Sequence, residues 1–214
     1  MLPFLCVRWG GPISVAVLQD HLPDIPEGLC SRMLITAASM KSPYDLDPSH
    51  YPVNRLRNVA ITAVNTSHFL MTDIDIWPDV NAYMSLHMRY HLEKERLDDP
   101  RTAIVFTAFS RKRFCPKSTC LQYAKQTPQT VRELGPCVDS KTCDPFDSKN
   151  PDGQGTAYQY YWQSMQRHPE ERGLEHIVCF ESPRFEPYVM VRKSSVLPEF
   201  NEQFFGYGKN KIQW

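Results

Sequence analysis

An amphipathic helix that leads through a short turn into an apolar strand is the feature that most constrains the fold of this sequence. Apolar residues recur at helical spacing from Val53 to Val64, and Pro52 suits the first helical position. The apolar run Phe69–Met71 follows and is typical of a buried strand. This helix–turn–strand order predicts an α/β fold with helices layered on a sheet.

Two carboxylates, Asp73 and Asp75, follow that strand, and Pro78 ends the extended run. On an extended chain, residues two apart point to the same side, so both side chains should project from the carboxyl end of the strand, where open α/β folds bind ligands. Two hard oxygen ligands suit Mg²⁺ or Mn²⁺ held with a substrate diphosphate. The alternative is a pair of solvated aspartates, since strand-to-loop turns also favour Asp.

The polar face of the same helix carries Asn54, Arg57 and Asn58 near its start. A helix N-terminus attracts anions, and Arg matches phosphate geometry better than Lys does. These residues are therefore either a diphosphate-binding face or an ordinary solvated helix face. A first strand at 13–18 places the small side chains of Ser14 and Ala16 on one side, where a helix or a flat ligand can approach.

The rest of the chain alternates between strand and helix signals, with no internal repeat and no clear domain boundary, so we predict a single domain over 1–214. A helix capped by Asp79 is expected to reach about Leu97. His87 and His91 share one face of it, as structural residues or as a metal-binding pair. The other predicted elements are strands at 33–37, 102–109, 177–180 and 188–191 and a short helix at 158–166, whose aromatic residues serve either the core or sugar stacking.

Composition excludes several function classes. The formal net charge of the 214 residues is zero, so nothing indicates a nucleic-acid partner. No apolar run is long enough to span a bilayer, and the first seven residues are too short for a signal peptide. We therefore expect a soluble chain without an export signal of its own.

Seven cysteines are present, and four of them lie in a polar segment at about 111–155, where we expect an insertion or a long loop. Disulfides would stabilise such a segment and would suit a secretory compartment. Cys115 and Cys120 with Cys137 and Cys143 also permit a zinc site, although their spacing is looser than the usual one. Free thiols are the third alternative, and the odd count leaves at least one cysteine unpaired.

Five segments in order resemble glycosyltransferase family 49, the family of the LARGE-type and β-1,4-glucuronyltransferases. No single segment is specific, but together they span nearly the whole chain. The segments are Arg8–Val17, Tyr51–Asn58, Thr72–Pro78, Phe185–Val191 and Phe200–Lys211.

The resemblance implies a GT-A fold, a Rossmann-like α/β sandwich that is incomplete here at its C-terminus. It also implies an inverting glycosyltransferase that depends on Mn²⁺ or Mg²⁺. Such an enzyme moves glucuronic acid, N-acetylglucosamine or xylose from a UDP-sugar to a glycan or glycoprotein acceptor. The metal would act as a Lewis acid that offsets charge on the departing UDP.

The resemblance also assigns roles to residues. Asp75 is expected to ligate the metal, and Asp73 to ligate it or to contact the ribose. Glu186 is the candidate base for the acceptor hydroxyl, or else holds the acceptor. The remaining donor-binding residues are expected near the uracil (Ile13, Ser14), on the nucleotide side (Asn54, Arg57, Asn58) and near the diphosphate or donor sugar (Asn210, Lys211).

Members of the family are Golgi membrane proteins with an N-terminal anchor and a lumenal catalytic domain, and they continue to a C-terminal histidine that completes the metal site. This chain begins almost at the first strand and stops at Trp214, so we expect a chain truncated at both ends. The alternative function is a non-catalytic relic that binds sugar or a partner protein. A phosphoryl-transfer enzyme with Asp73 as nucleophile is a third reading, for which the sequence offers no partner motif.

Overall fold

The computed structural model describes residues 2–19, 30–41, 47, 49–112, 126–147, 174, 176–177, 187–204 and 206. These residues form five helices and seven strands. The helices are α1 (Leu2–Arg8), α2 (Val53–Thr62), α3 (Ala82–Leu92), α4 (Lys94–Leu97) and α5 (Val131–Asp139). The strands are β1 (Ile13–Leu18), β2 (Met33–Ala38), β3 (His68–Leu70), β4 (Ala103–Phe106), β5 (Phe109–Arg111), β6 (Cys143–Pro145) and β7 (Tyr188–Arg192).

The N-terminal layer is a parallel pair of strands covered by α2. Strands β1 and β2 run in register from Ile13 opposite Met33 to Leu18 opposite Ala38. Leu56 of α2 packs against Leu18 and Ala38, and all three side chains are buried. The predicted first strand and the predicted amphipathic helix are therefore both present, with Pro52 one position earlier than predicted, as the residue that precedes the first helical turn.

The second layer is an antiparallel sheet with β7 in its centre. Strands β3 and β4 both pair with β7, in the order β3–β7–β4. Its core contains Leu97, Ile104 and Met190. Strands β3 and β4 both run antiparallel to β7, so their carboxyl ends lie at the end of the sheet where β7 begins. Asp73 follows β3 at this end of the sheet.

The cysteine-rich segment contains regular structure as well as loop. Its described part includes α5 and strand β6, which pairs with β5. Thr130 caps α5 by accepting a hydrogen bond from the backbone N–H of Glu133. Cys137 and Cys143 form a disulfide, so a zinc site made of all four cysteines of this segment is excluded. A second disulfide joins Cys6 to Cys30.

Two predicted elements are each divided. The helix expected from Asp79 to Leu97 begins only at Ala82 and is interrupted at Glu93, whose backbone leaves helical geometry. The prediction that Asp79 caps this helix was wrong. Its side chain accepts hydrogen bonds from the backbone N–H of Asn81 and from that of Val131, the first residue of α5.

The strand expected over 102–109 is likewise two strands, β4 and β5, because the chain leaves the central sheet after Phe106 and pairs with β6 instead. The fold class is thus mixed α/β, as predicted, with small sheets in the described residues. None of the described helices is long and apolar enough to cross a membrane.

Candidate active site: a carboxylate cluster beyond β3

The two aspartates lie in a turn directly after β3. The ladder with β7 ends at Leu70, and the backbone N–H of Ile76 donates to the carbonyl of Asp73 at 3.0 Å. The premise that both carboxylates share one side of an extended chain was therefore wrong, because β3 has only three residues. Asp75 is exposed, and the side chain of Asp73 is 47% exposed.

Asp73 contacts a different residue through each of its carboxylate oxygens. Its Oδ1 lies 3.6 Å from Nη2 of Arg57 on α2. Its Oδ2 accepts a hydrogen bond of 3.0 Å from the hydroxyl of Tyr188, the first residue of β7. Elements from both layers therefore meet at Asp73. We call Arg57, Asp73, Asp75 and Tyr188 the carboxylate cluster.

Tyr188 is a buried member of this cluster, only 8% exposed. Burial raises the pKa of its phenol, and the charge and hydrogen bond of Asp73 and the charge of Asp75 raise it further, against a smaller opposing effect of Arg57. The phenol therefore remains protonated at neutral pH and acts as a donor. Because the charge of Asp75 reaches the same phenol, Asp75 belongs to the same electrostatic environment as Asp73.

Arg57 is held on three sides. Its guanidinium lies 5.3 Å from the centre of the Phe200 ring, within the range of a cation–π contact. Its Nη1 donates to Oδ1 of Asn54 at 3.4 Å, and the ion pair with Asp73 forms the third contact. The side chain is only 14% exposed, so the guanidinium is fixed beside the carboxylates.

The two asparagines of α2 bind the segment that follows β7. Nδ2 of Asn54 donates to the carbonyl of Asn201 at 2.9 Å. Asn58 makes two hydrogen bonds with the backbone of Phe200, and both asparagines are buried. Their observed role is thus to hold this segment against α2, and the nucleotide-side role implied by the resemblance stays a prediction.

Ile13 and Ser14 lie at the start of β1, in contact with other parts of the N-terminal layer. Ile13 is buried with Leu5 and Cys6. The hydroxyl of Ser14 donates to the carbonyl of Ala60 on α2 at 2.7 Å. This contact fits the alternative in which small residues on β1 let a helix approach, and it leaves their expected place near the uracil untested.

Three predicted site residues, Glu186, Asn210 and Lys211, lie outside the described residues, as does the aromatic segment at 158–166. His87 and His91 do lie together on α3, with ring centres 4.6 Å apart. In the described ranges, however, no three His, Cys, Asp or Glu side chains converge as metal ligands.

The donor set at the carboxylate cluster fits Mg²⁺ or Mn²⁺. Asp73 and Asp75 offer hard oxygen atoms, and such ions are commonly bound by one or two carboxylates together with water and substrate phosphates. A carboxylate oxygen has two lone pairs, so Asp73 keeps acceptor capacity beyond its bonds to Arg57 and Tyr188. The exposed carboxylate of Asp75 is accessible to a ligand.

Two residues of the site were missed by reasoning from the sequence. Tyr188 was assigned to a strand and to a matching segment and Phe200 to a matching segment, in both cases without a role in the site. The signal for Tyr188 was a tyrosine at the start of an apolar strand, because a buried tyrosine hydroxyl requires a hydrogen-bond partner. Its partner was not predictable, since the pairing of β3 with β7 joins residues more than a hundred positions apart.

Comparisons with known proteins agree with the resemblance. The family model described as "Glycosyl-transferase for dystroglycan", glycosyltransferase family 49, matches residues 26–214. The chain is 29% identical over 221 residues to the xylosyl- and glucuronyltransferase LARGE1 of Danio rerio, covering 99% of this chain and 26% of that protein. It is 28% identical over 221 residues to LARGE2 of Mus musculus, with 99% and 29% covered. The chain thus spans between a quarter and a third of the length of these curated relatives.

Proposed function

We propose that this chain, which belongs to glycosyltransferase family 49, transfers a sugar from a UDP-sugar to a glycan acceptor at the carboxylate cluster. The names of its relatives describe xylosyl and glucuronyl transfer, so glucuronic acid and xylose are the first donor sugars to consider, with N-acetylglucosamine as the third. The observation that carries the proposal is the ion pair between Arg57 of α2 and Asp73 beyond β3, with the exposed carboxylate of Asp75 two residues further along the chain.

A GT-A arrangement is the finer fold that we propose. The parallel pair β1–β2 with α2 packed on it is the kind of unit from which Rossmann-like nucleotide-binding folds are built. In this arrangement Ile13 and Ser14 face the uracil. Asn54 and Asn58 support the nucleotide side through the segment that they hold.

Arg57 is the residue that we assign to the donor diphosphate. A guanidinium presents several N–H donors in one plane and binds phosphate oxygens in pairs. Phe200 and Asn54 hold this guanidinium where it also reaches Asp73.

Asp75, together with Asp73, would hold Mn²⁺ or Mg²⁺, and Asp73 can instead contact the ribose. When bound, the metal supplies Lewis-acid stabilisation of the charge on the departing UDP. The chain's own residues would orient the donor, with the carboxylates holding the metal ion and Arg57 contacting the diphosphate. Glu186 is proposed as the base that takes the proton of the acceptor hydroxyl as the anomeric centre inverts, with Asn210 and Lys211 beside the diphosphate or donor sugar.

The lumen of the Golgi is the proposed location of this domain. The disulfides Cys6–Cys30 and Cys137–Cys143 support it, because such bonds persist in oxidising compartments and are rare in the cytosol. Membrane attachment, as in the family, would come from sequence other than the described helices.

Calorimetric titration with UDP, in Mn²⁺ and then in EDTA, tests the proposal. We expect the chain to bind UDP only when Mn²⁺ is present. We expect the substitution Asp75→Asn to lower the affinity for UDP at least tenfold. The matched control is Asp139→Asn, which removes an exposed carboxylate at the end of α5 and should leave UDP binding unchanged.

Donor specificity is measured by incubating the protein and a glycan acceptor with each of three donors in turn: UDP-glucuronic acid, UDP-xylose and UDP-N-acetylglucosamine. Sugar transfer from one of them that is lost in Asp75→Asn supports the assignment. A folded protein that binds no UDP in Mn²⁺ would contradict it and would favour a non-catalytic domain.

A further inference from the structure

We propose that Tyr188 is a positioning residue that fixes the carboxylate of Asp73 for the divalent metal ion and the donor. This inference rests on the proposed function, which assigns Asp73 and Asp75 to the metal. Neither the family match nor the relatives' names assign a role to Tyr188. Its phenol donates a hydrogen bond to Asp73 and is not itself proposed as a metal ligand.

The geometry supports a positioning role. The hydroxyl of Tyr188 donates to Oδ2 of Asp73 at 3.0 Å, while Arg57 approaches Oδ1. The two partners come from β7 and from α2, and so they restrain the carboxylate from both layers. Without them, Asp73 would be a half-exposed side chain in a turn, free to change its rotamer.

Strand pairing and burial fix the position of the Tyr188 hydroxyl. Tyr188 is the first residue of the central strand β7, where it pairs with Phe106 of β4. The side chain is buried, with its ring centre 6.3 Å from that of Phe146. The position of the hydroxyl is thus set by the sheet rather than by the turn that carries Asp73.

The direction of the hydrogen bond fits the role. A phenol that donates to a carboxylate stabilises the ionised form of that carboxylate and occupies one lone pair of Oδ2. The remaining lone pairs then point in directions that the sheet and α2 determine together. Hydrogen-bonded partners of this kind orient ligating carboxylates, and their removal typically lowers metal affinity about 10- to 100-fold.

The same structure provides a matched control. The hydroxyl of Tyr90 donates to Oδ1 of Asp98 at 3.1 Å, and neither residue belongs to the carboxylate cluster. Tyr188→Phe and Tyr90→Phe each remove one tyrosine hydroxyl from one aspartate and keep the ring. A purely structural role predicts similar effects of the two variants on unfolding and no effect of either on metal binding.

The experiment measures binding of Mn²⁺ alone and of Mn²⁺ with UDP, by the loss of the electron paramagnetic resonance signal of the free ion. For the wild-type protein we expect UDP-dependent Mn²⁺ binding. For Tyr188→Phe we expect a dissociation constant for Mn²⁺ that is higher by about 10- to 100-fold, whereas Tyr90→Phe should bind as the wild type does. Circular dichroism of each variant verifies that it is folded.

The outcomes separate the two claims. Equal Mn²⁺ affinity of folded Tyr188→Phe and wild type would overturn the positioning role and leave the proposed function intact. Equal losses in both tyrosine variants would overturn it too, because the effect would then be a general loss of stability. Absence of Mn²⁺ binding by the wild type, with and without UDP, would overturn the metal site itself and with it the inference.

Discussion

The side-chain amide of Asn58 pairs with both backbone groups of Phe200: Nδ2 donates to the carbonyl at 2.8 Å, and Oδ1 accepts from the N–H at 2.9 Å. The partners are separated by 142 positions in the chain. Because Phe200 also covers the guanidinium of Arg57, this pairing links the segment after β7 to the helix that carries the proposed phosphate-binding residue.

The first prediction concerns this amide. Asn58→Asp keeps the acceptor for the N–H of Phe200 but places a second oxygen against its carbonyl. A buried carbonyl left without its donor, next to a buried charge, should lower the free energy of unfolding by about 3 kcal/mol. Urea denaturation at pH 7 measures the change. The control Asn81→Asp changes an exposed residue whose side chain makes no capping hydrogen bond in the described part of the chain, and it should have little effect.

The pH dependence of Asn58→Asp provides an internal check. A protonated carboxyl group can donate to the carbonyl of Phe200 again, so the loss of stability relative to the wild type should shrink as the pH falls through the pKa of the new side chain. A loss that stays constant between pH 7 and pH 4 would show that the donor to Phe200 is not what matters.

The second prediction compares the two disulfides. In the chain-entropy model, stabilisation grows with the length of the closed loop. The sequence separations are 24 for Cys6–Cys30 and 6 for Cys137–Cys143. The double variant Cys6→Ala, Cys30→Ala should therefore have a free energy of unfolding about 3.5 kcal/mol lower than the wild type. For Cys137→Ala, Cys143→Ala the free energy of unfolding should be lower by about 2 kcal/mol. Chemical denaturation of the two double variants measures the order, and a larger cost for the shorter loop would contradict it.

The local elements of the fold were predictable wherever a periodic pattern coincided with a buried face. The helix that begins at Val53 and the strand Ile13–Leu18 are both present, because apolar spacing and packing against Leu18 favour the same structure. The prediction of a single helix over 79–97 was wrong, because the backbone leaves helical geometry at Glu93. Helix α3 packs on the core only through partly buried side chains such as Leu86 and Tyr90, so burial does not hold α3 and α4 as one continuous helix.

Reasoning from the sequence singled out the charged residues of the candidate site but not their geometry. Asp73, Asp75 and Arg57 have side chains that indicate chemistry by themselves, and in the structure Arg57 forms an ion pair with Asp73. Tyr188 and Phe200 act through partners that only the sheet order and the path of the chain after β7 bring near. Their roles depend on pairings across long stretches of sequence, and hydrophobic periodicity contains no information about such pairings.

The third prediction tests the shape of Arg57 rather than its charge. Arg57→Lys keeps a cation near Asp73 but loses the planar guanidinium that lies over Phe200 and donates to Asn54. The loss of one charge-assisted hydrogen bond is worth about 1.5–3 kcal/mol, so we expect affinity for UDP to fall at least tenfold in the presence of Mn²⁺. Calorimetry measures the affinity. Arg96→Lys, at an exposed ion pair with Glu93, is the control, and equal affinities in both variants would remove Arg57 from the donor site.

The fourth prediction follows from the raised pKa of Tyr188. In the unfolded chain its phenol should titrate near the ordinary value of 10.0, whereas in the folded protein burial and the charges of Asp73 and Asp75 hold the pKa higher. The stabilising effect is therefore fully present below pH 10 and is lost as the pH rises further, because the unfolded state releases the proton first.

Tyr188→Phe has no proton to release, so its stability should fall less steeply above pH 10 than that of the wild type. At pH 8 the wild type should be the more stable protein, because it keeps the hydrogen bond to Asp73. Between pH 9 and pH 11 its advantage should shrink by about 1.4 kcal/mol, the linkage expected for one group over one pH unit beyond its unfolded pKa. Urea denaturation at each pH measures the difference in free energy of unfolding between the wild type and Tyr188→Phe. The titration of the other tyrosines is common to both proteins and cancels from this difference. A constant difference would mean that neither burial nor the charges of Asp73 and Asp75 raise the pKa of the Tyr188 phenol. That result would remove the electrostatic evidence that places Asp75 in the carboxylate cluster.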